Sequence, residues 1–163
     1  PLSVTIRVGM AEYKAAKSPA TLITLGLGSC VGVVLYDSLT KVGGLAHVML
    51  PDSNLSSKKD YNPGKFADTA IDALIQDMLG LGVDRSNIIS KIAGGAQMFQ
   101  IKSENSIMQI GKRNVEAVKA KLSQLRIKIL AEDVEGNYGR TIEFFCETGE
   151  LTIKTIGHGV RTL

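Results

Sequence analysis

The sequence predicts an α+β fold, a layered sandwich of mixed β-sheet packed with helices, and three observations lead there. Strand-length apolar runs outnumber the two segments with helical periodicity, and several of those runs are joined by tight turns instead of crossover helices, which argues against a regular βαβ array. Glycine is abundant, 17 of 163 residues, marking many places where the backbone turns sharply. The chain is 44% hydrophobic and 21% charged. At that size it is read as one domain over residues 1–163, able to bury roughly 68–70% of its unfolded surface without a disulfide or metal staple.

Val4, Ile6 and Val8 alternate with Thr5 and Arg7 as an opening half-buried strand. Leu22 to Leu25 and Val31 to Tyr36 form two further strands around the loop Gly26-Leu27-Gly28-Ser29. The turn residues Asp37 to Thr40 lead into a strand from Gly44 to Leu50. Pro51 to Lys65 is poor in apolar residues and reads as a long surface loop. Phe66, Ala70, Ile71, Leu74 and Met78 then recur at helical spacing until Gly80 and Gly82. Ile88 to Ala93 is a strand running into Gly94-Gly95, and Val115, Val118, Leu122 and Leu125 share one face of a second helix. Ile127 to Ala131 is a strand, Gly136 and Gly139 punctuate a turn, and Thr141 to Glu147 with Leu151 to Ile156 make a terminal hairpin.

Several function classes are excluded at this level. The net charge of +3 is too small for a nucleic-acid face, and there is no Trp. Cys30, Cys146, His47 and His158 fit no zinc spacing, so no metal is expected. The longest uncharged stretch, Thr21 to Tyr36, is shorter than the run of about 18 that a spanning helix needs, so no membrane insertion is expected. Nothing at the N-terminus resembles a signal peptide, and the composition suits a cytoplasmic protein with reduced thiols. The loop Gly26 to Gly32 fails the dinucleotide fingerprint, because Val31 stands at the third glycine position. Neither Gly64-Lys65 nor Gly111-Lys112 is followed by Ser or Thr, so no phosphate-binding loop is present, and Leu27 rules out a nucleophile elbow at Ser29.

What remains is Cys30, directly after a glycine-bracketed loop whose N–H groups can face a developing oxyanion. A hairpin centred between Ser38 and Leu39 pairs Cys30 with His47 across the ladder, where Cβ atoms lie about 4.5–5.5 Å apart. Such a histidine lowers a thiol pKa from about 8.5 towards roughly 3.5–7.5. Taken singly, a free cysteine and a histidine on an apolar strand are more often core residues. Their juxtaposition beside the loop is what points to a Cys–His hydrolase. Cys146 shares parity with Ile142 and Phe144 and reads as core; His158 reads as a solvated tail. Basic residues from Lys112 to Lys128 flank the second helix and Asp68, Asp72 and Asp77 the first; each is a solvated face or a docking face.

Thr24-Leu25-Gly26-Leu27-Gly28-Ser29-Cys30-Val31, Ala46-His47-Val48-Met49-Leu50-Pro51, Lys65-Phe66-Ala67-Asp68, Lys91-Ile92-Ala93-Gly94-Gly95-Ala96 and Gly111-Lys112-Arg113-Asn114-Val115 resemble, in order, the motifs of the CheD family, the chemoreceptor glutamine deamidases. The resemblance runs from about Val4 to Ile156, with Glu135 standing where that family pattern has glycine. It implies a cysteine-hydrolase, toxin-deamidase-like architecture and a triad of Cys30 as nucleophile, His47 as base and Thr24 orienting the imidazole. Gly26, Gly28 and Ser29 then shape the oxyanion site, and no cofactor is required. The implied partners are the cytoplasmic helices of a methyl-accepting chemotaxis protein and a CheC-type response-regulator phosphatase. Two alternatives stay open: receptor methylesterase activity from the same triad, and a non-enzymatic adaptor that modulates the phosphatase.

Overall fold

A computed structural model describes residues 3–56, 61–98 and 109–163. Among them, ten strands and two α-helices stack as sheet, sheet and helix layers. The outer sheet runs β1 (Val4–Arg7), β3 (Ala20–Leu27), β8 (Arg140–Phe145), β9 (Leu151–Thr155) and β10 (Gly159–Thr162). The central sheet runs β2 (Tyr13–Lys17), β5 (Val42–Val48), β4 (Val31–Asp37), β6 (Ile89–Gly94) and β7 (Ile129–Val134). Both sheets are mixed, since β1 lies parallel to β3 and β6 parallel to β7 while the other pairs are antiparallel. The helices α1 (Ala67–Gly80) and α2 (Ile110–Gln124) cover the far face of the central sheet.

This layering explains the sequence pattern. The strands β4 and β5 are buried on both faces, so they read as unbroken small and apolar runs instead of alternating ones. Val31, Val33, Leu35, Ala46 and Val48 face the helices and meet Ile71, Leu74, Val118 and Leu122. Val34 and Leu45 face the outer sheet and meet Leu22, Ile142 and Phe144. The outer strand β3 is buried on one side only and alternates accordingly.

Four expectations change. The turn after β4 spans Ser38 to Lys41, one residue further along than expected. Asp37 causes this: its carboxylate accepts the Leu39 N–H at 2.9 Å and the Thr40 hydroxyl at 2.8 Å, and Lys41 takes the left-handed conformation at φ 54°. The strand β2 had no apolar alternation to announce it, because Tyr-Lys-Ala-Ala-Lys forms an edge whose lysines suit solvent. The expected tail is β10, paired to β9, with His158 stacked on Tyr138 at 4.1 Å between ring centroids. The stretch Pro51 to Lys65 contains two short 3₁₀ turns, Ser53–Leu55 and Pro63–Lys65, and its residues 57–60 lie outside the described residues. Cys146 is fully buried in the inter-sheet core. The basic face of α2 is partly answered within the fold, since Lys121 pairs with Asp72 of α1 at 2.8 Å and Lys119 with Glu132 at 3.0 Å.

The two sheets approach closely at Gly43 of β5. A Cβ there would lie 2.7 Å from Phe144 Cε2 and 2.8 Å from the Cys146 sulfur, both fully buried. Gly43→Ala is therefore expected to destabilise the fold by about 1–3 kcal/mol through overpacking. Urea denaturation measures it, and a loss under about 0.5 kcal/mol would mean that the sheets have slack there.

Candidate active site

The candidate residues are brought together from three strands and both sheets. Thr24 lies on β3 of the outer sheet, His47 on β5 of the central sheet, and Cys30 at the entry to β4. Thr24 and His47 are fully buried and Cys30 is 9% exposed. Gly32, not Cys30, stands opposite His47, a consequence of the displaced turn. The shift in partner is two residues, which preserves the face, so Cys30 is the diagonal neighbour of His47 on the side between the sheets. Diagonal neighbours lie about 7–8 Å apart, their Cβ atoms somewhat closer, still within reach of a long or aromatic side chain.

The threonine hydroxyl decides the histidine's proton. Thr24 Oγ1 lies 2.6 Å from the Val8 carbonyl oxygen and 2.7 Å from His47 Nδ1. A carbonyl only accepts, so the single hydroxyl proton is committed to Val8. Thr24 must then accept from Nδ1–H, which leaves the lone pair of the neutral ring on Nε2. That Nε2 is buried with no hydrogen-bond partner among the described residues, so it is available to take a proton. Backbone bonds hold the ring's strand in place, with Ala11 N–H donating to the His47 carbonyl and His47 N–H to the Glu12 carbonyl, both at 3.0 Å.

Burial sets the charge state. It pushes the Cys30 thiol up, an effect its own N–H against the sulfur partly offsets, and it pushes the His47 imidazole down. The resting pair is neutral thiol and neutral imidazole, so the expected depression of the thiol by His47 is not found. Cys146 is pushed further, to about 11, and is a core residue bonded to the Ala16 carbonyl.

The glycine loop is narrower in its capacity than its sequence suggested. Gly28 N–H donates to the Gly26 carbonyl at 3.0 Å and is thereby occupied, while Gly26 takes φ 68° in the bulge that separates Thr24 from Leu27 in the β3–β8 register. Among the described residues, Ser29 and Cys30 N–H bond to no backbone carbonyl, and the Cys30 N–H lies against its own sulfur. Three groups were missed in the sequence: the Val8 carbonyl, the Gly94-Gly95 backbone and Asn114. The last left a signal, a polar residue on the apolar stripe of α2 beside Val115, Val118 and Leu122.

Comparison with known proteins follows this geometry. Residues 49–155 match the family model described as CheD chemotactic sensory transduction. The chain is 58% identical to the probable chemoreceptor glutamine deamidase CheD of Caldanaerobacter subterraneus subsp. tengcongensis, over 98% of both chains. It is 53% identical to the chemoreceptor glutamine deamidase CheD of Halalkalibacterium halodurans, covering 97% of this chain and 98% of that one. With the Bacillus licheniformis protein of the same name it shares 50% identity over 97% of this chain and 94% of the other.

The charge state has two measurable consequences. Iodoacetamide labelling of Cys30, followed by peptide mass mapping, is expected to accelerate with pH beyond the ordinary thiol range; a plateau near neutrality would indicate a preformed thiolate. The unfolded imidazole binds a proton near pH 6.5, whereas His47 in the fold binds one only at lower pH. The unfolded state thus holds more protons below that point, and stability should fall as pH drops below about 6.5. Urea melts at pH 7.5 and 5.5 for the wild type and His47→Asn test this, since the His47 contribution disappears in the variant.

Proposed function

The chain belongs to the CheD family, and from that membership we propose that it hydrolyses glutamine side chains of chemoreceptors to glutamate and ammonia through a thioester on Cys30. The observation that supports this most directly is the Nε2 of His47, without a partner among the described residues, with its tautomer fixed by Thr24, on the same face as the cysteine.

The steps follow from these roles. Because thiol and imidazole rest neutral, the Cys30 proton passes to Nε2 as the sulfur attacks the glutamine side-chain carbonyl. The carbonyl oxygen, now negative, is met by the Ser29 and Cys30 N–H groups. The imidazolium then gives its proton to the nitrogen, the C–N bond breaks and ammonia leaves. Neutral His47 takes a proton from water, which attacks the thioester; the C–S bond breaks, the thiol is restored and glutamate remains. Throughout, Nδ1–H stays on Thr24 and the Thr24 proton on Val8, so the chain of dipoles supports the imidazolium without a buried carboxylate.

The toxin-deamidase-like cysteine-hydrolase architecture, a cytoplasmic location and a CheC-type phosphatase partner belong to the same proposal. No helix among the described residues is long and apolar enough to cross a membrane.

Mass spectrometry of a chemoreceptor cytoplasmic fragment after incubation tests the reading. Wild type is expected to convert glutamine to glutamate, and Cys30→Ala to lose at least about 10³-fold in rate. Thr24→Val should lose about 10- to 100-fold, less than the nucleophile, since it disorders the base without removing it. A methyl-ester substrate run in parallel separates esterase activity, and no conversion by wild type beside an active control enzyme overturns the proposal.

A further inference from the structure

Asn114 is fully buried on α2, yet neither end of its amide serves the helix. Its Nδ2 donates to the Ser29 carbonyl and to the Met49 carbonyl, both at 2.9 Å. Two carbonyls can be met only by the amide nitrogen with its two N–H groups, so the orientation of the side chain is settled by its partners. The Oδ1 is then left buried with no partner among the described residues, an unfavourable arrangement that an apolar residue would not carry.

The two carbonyls are not arbitrary. Ser29 precedes the nucleophile and Met49 follows His47 by two residues, so one amide ties the cysteine loop and the base strand to the same helix. The approach is possible because α2 begins against the Gly94-Gly95 turn. A Cβ at Gly111, one helical turn before Asn114, would lie 2.7 Å from the Gly95 carbonyl oxygen.

Peptide planarity converts these anchors into direction. In a trans peptide the C=O and the following N–H point opposite ways. The Gly28 carbonyl is held by Ala96 N–H at 2.8 Å, the Ser29 carbonyl by Asn114, and the Cys30 carbonyl by Gly95 N–H at 2.8 Å. With the first two carbonyls fixed, the Ser29 and Cys30 N–H groups are turned away from these anchors, and the Cys30 N–H lies against its own sulfur.

We infer that Asn114 is a positioning residue for deamidation: by holding the Ser29 carbonyl, it presents the Cys30 N–H to the oxyanion that forms on the glutamine carbonyl, in register with His47. The inference rests on the thioester chemistry proposed above and adds a residue that acts through the Ser29 carbonyl.

An oxyanion donor matters to acyl chemistry and not to alkylation, and this separates a positioning role from a merely structural one. Asn114→Ala is expected to lower kcat for receptor glutamine conversion about 10²- to 10³-fold with KM within about threefold. The rate and pH profile of Cys30 alkylation by iodoacetamide should stay within about threefold of wild type. Asn114→Asp, of equal shape but offering carboxylate oxygens to the two carbonyls, should lose at least as much kcat. Equal loss of alkylation and deamidation, or kcat within threefold of wild type in either variant, overturns the inference. The wild-type protein gives a check that no folding defect can remove. Titrated with a receptor peptide whose glutamine is replaced by its γ-aldehyde, which adds the Cys30 thiol as a hemithioacetal, both Ser29 and Cys30 amide protons should move downfield. Unmoved amides overturn the inference, whereas wild type that binds the aldehyde but converts no glutamine overturns the deamidase reading instead.

Discussion

The single proton on the Thr24 hydroxyl is the constraint from which the rest of the site follows. It bonds the Val8 carbonyl, so threonine can only receive from His47, and the ring must keep its other nitrogen unprotonated. Val8 ends the segment that opens the outer sheet, Thr24 lies on the next strand of that sheet, and His47 belongs to the central sheet. The tautomer of the His47 ring is thus set by how two sheets face one another. A triad with a carboxylate would orient the ring by charge; here the same direction is imposed by geometry, and the inter-sheet core supplies the rigidity.

That dependence explains why the central strands hold so many small residues. Gly43 allows Phe144 and Cys146 to sit against β5, and Gly32 opposite His47 leaves the space that Ile142 and Leu27 fill. A larger residue at Gly32, opposite His47, would press the sheets apart at the level of the Thr24–His47 bond, and one at Gly43 would do so four residues away along β5. The apolar packing and the polar chemistry are therefore not separate layers of design, because the distance between sheets sets the hydrogen bond between them.

Much of this was legible in the sequence, and the parts that were not share a cause. Local turn chemistry and strand parity put Cys30 and His47 on one face even though the register was displaced by two, since a side-chain period of two forgives an even error. Parity also placed Cys146 in the core. Thr24 came from family resemblance alone, because its contact joins strands of different sheets and leaves no spacing to read. The strands β2 and β10 escaped because edge strands need only backbone partners, not apolar side chains. Glu135 shows the reverse: the resemblance wanted glycine there, and the backbone takes φ 66°, holding its N–H on the Gly94 carbonyl at 2.9 Å. The conformation persists with the less suitable residue because the Gly94 contact and the neighbouring Gly136 turn fix it from both sides.

Where the fold departs from its own rules is informative in the same way. The buried side-chain atoms without a partner among the described residues belong to His47, Asn114 and Arg140. Each lies one contact from the segment 26–30: His47 faces Cys30 diagonally, Asn114 holds Ser29, and Arg140 is register-paired with Leu27 just past the bulge. Arg140 also bonds Asp133 at 3.1 Å and lies over the Tyr138 ring, so its remaining nitrogens are excluded from water by contacts that serve the end of β8. A sheet sandwich of this kind has no need of unsatisfied polar atoms for stability, and each is a cost to it. Their gathering around one five-residue loop sets that loop apart from the apolar layers on either side, which carry the stability.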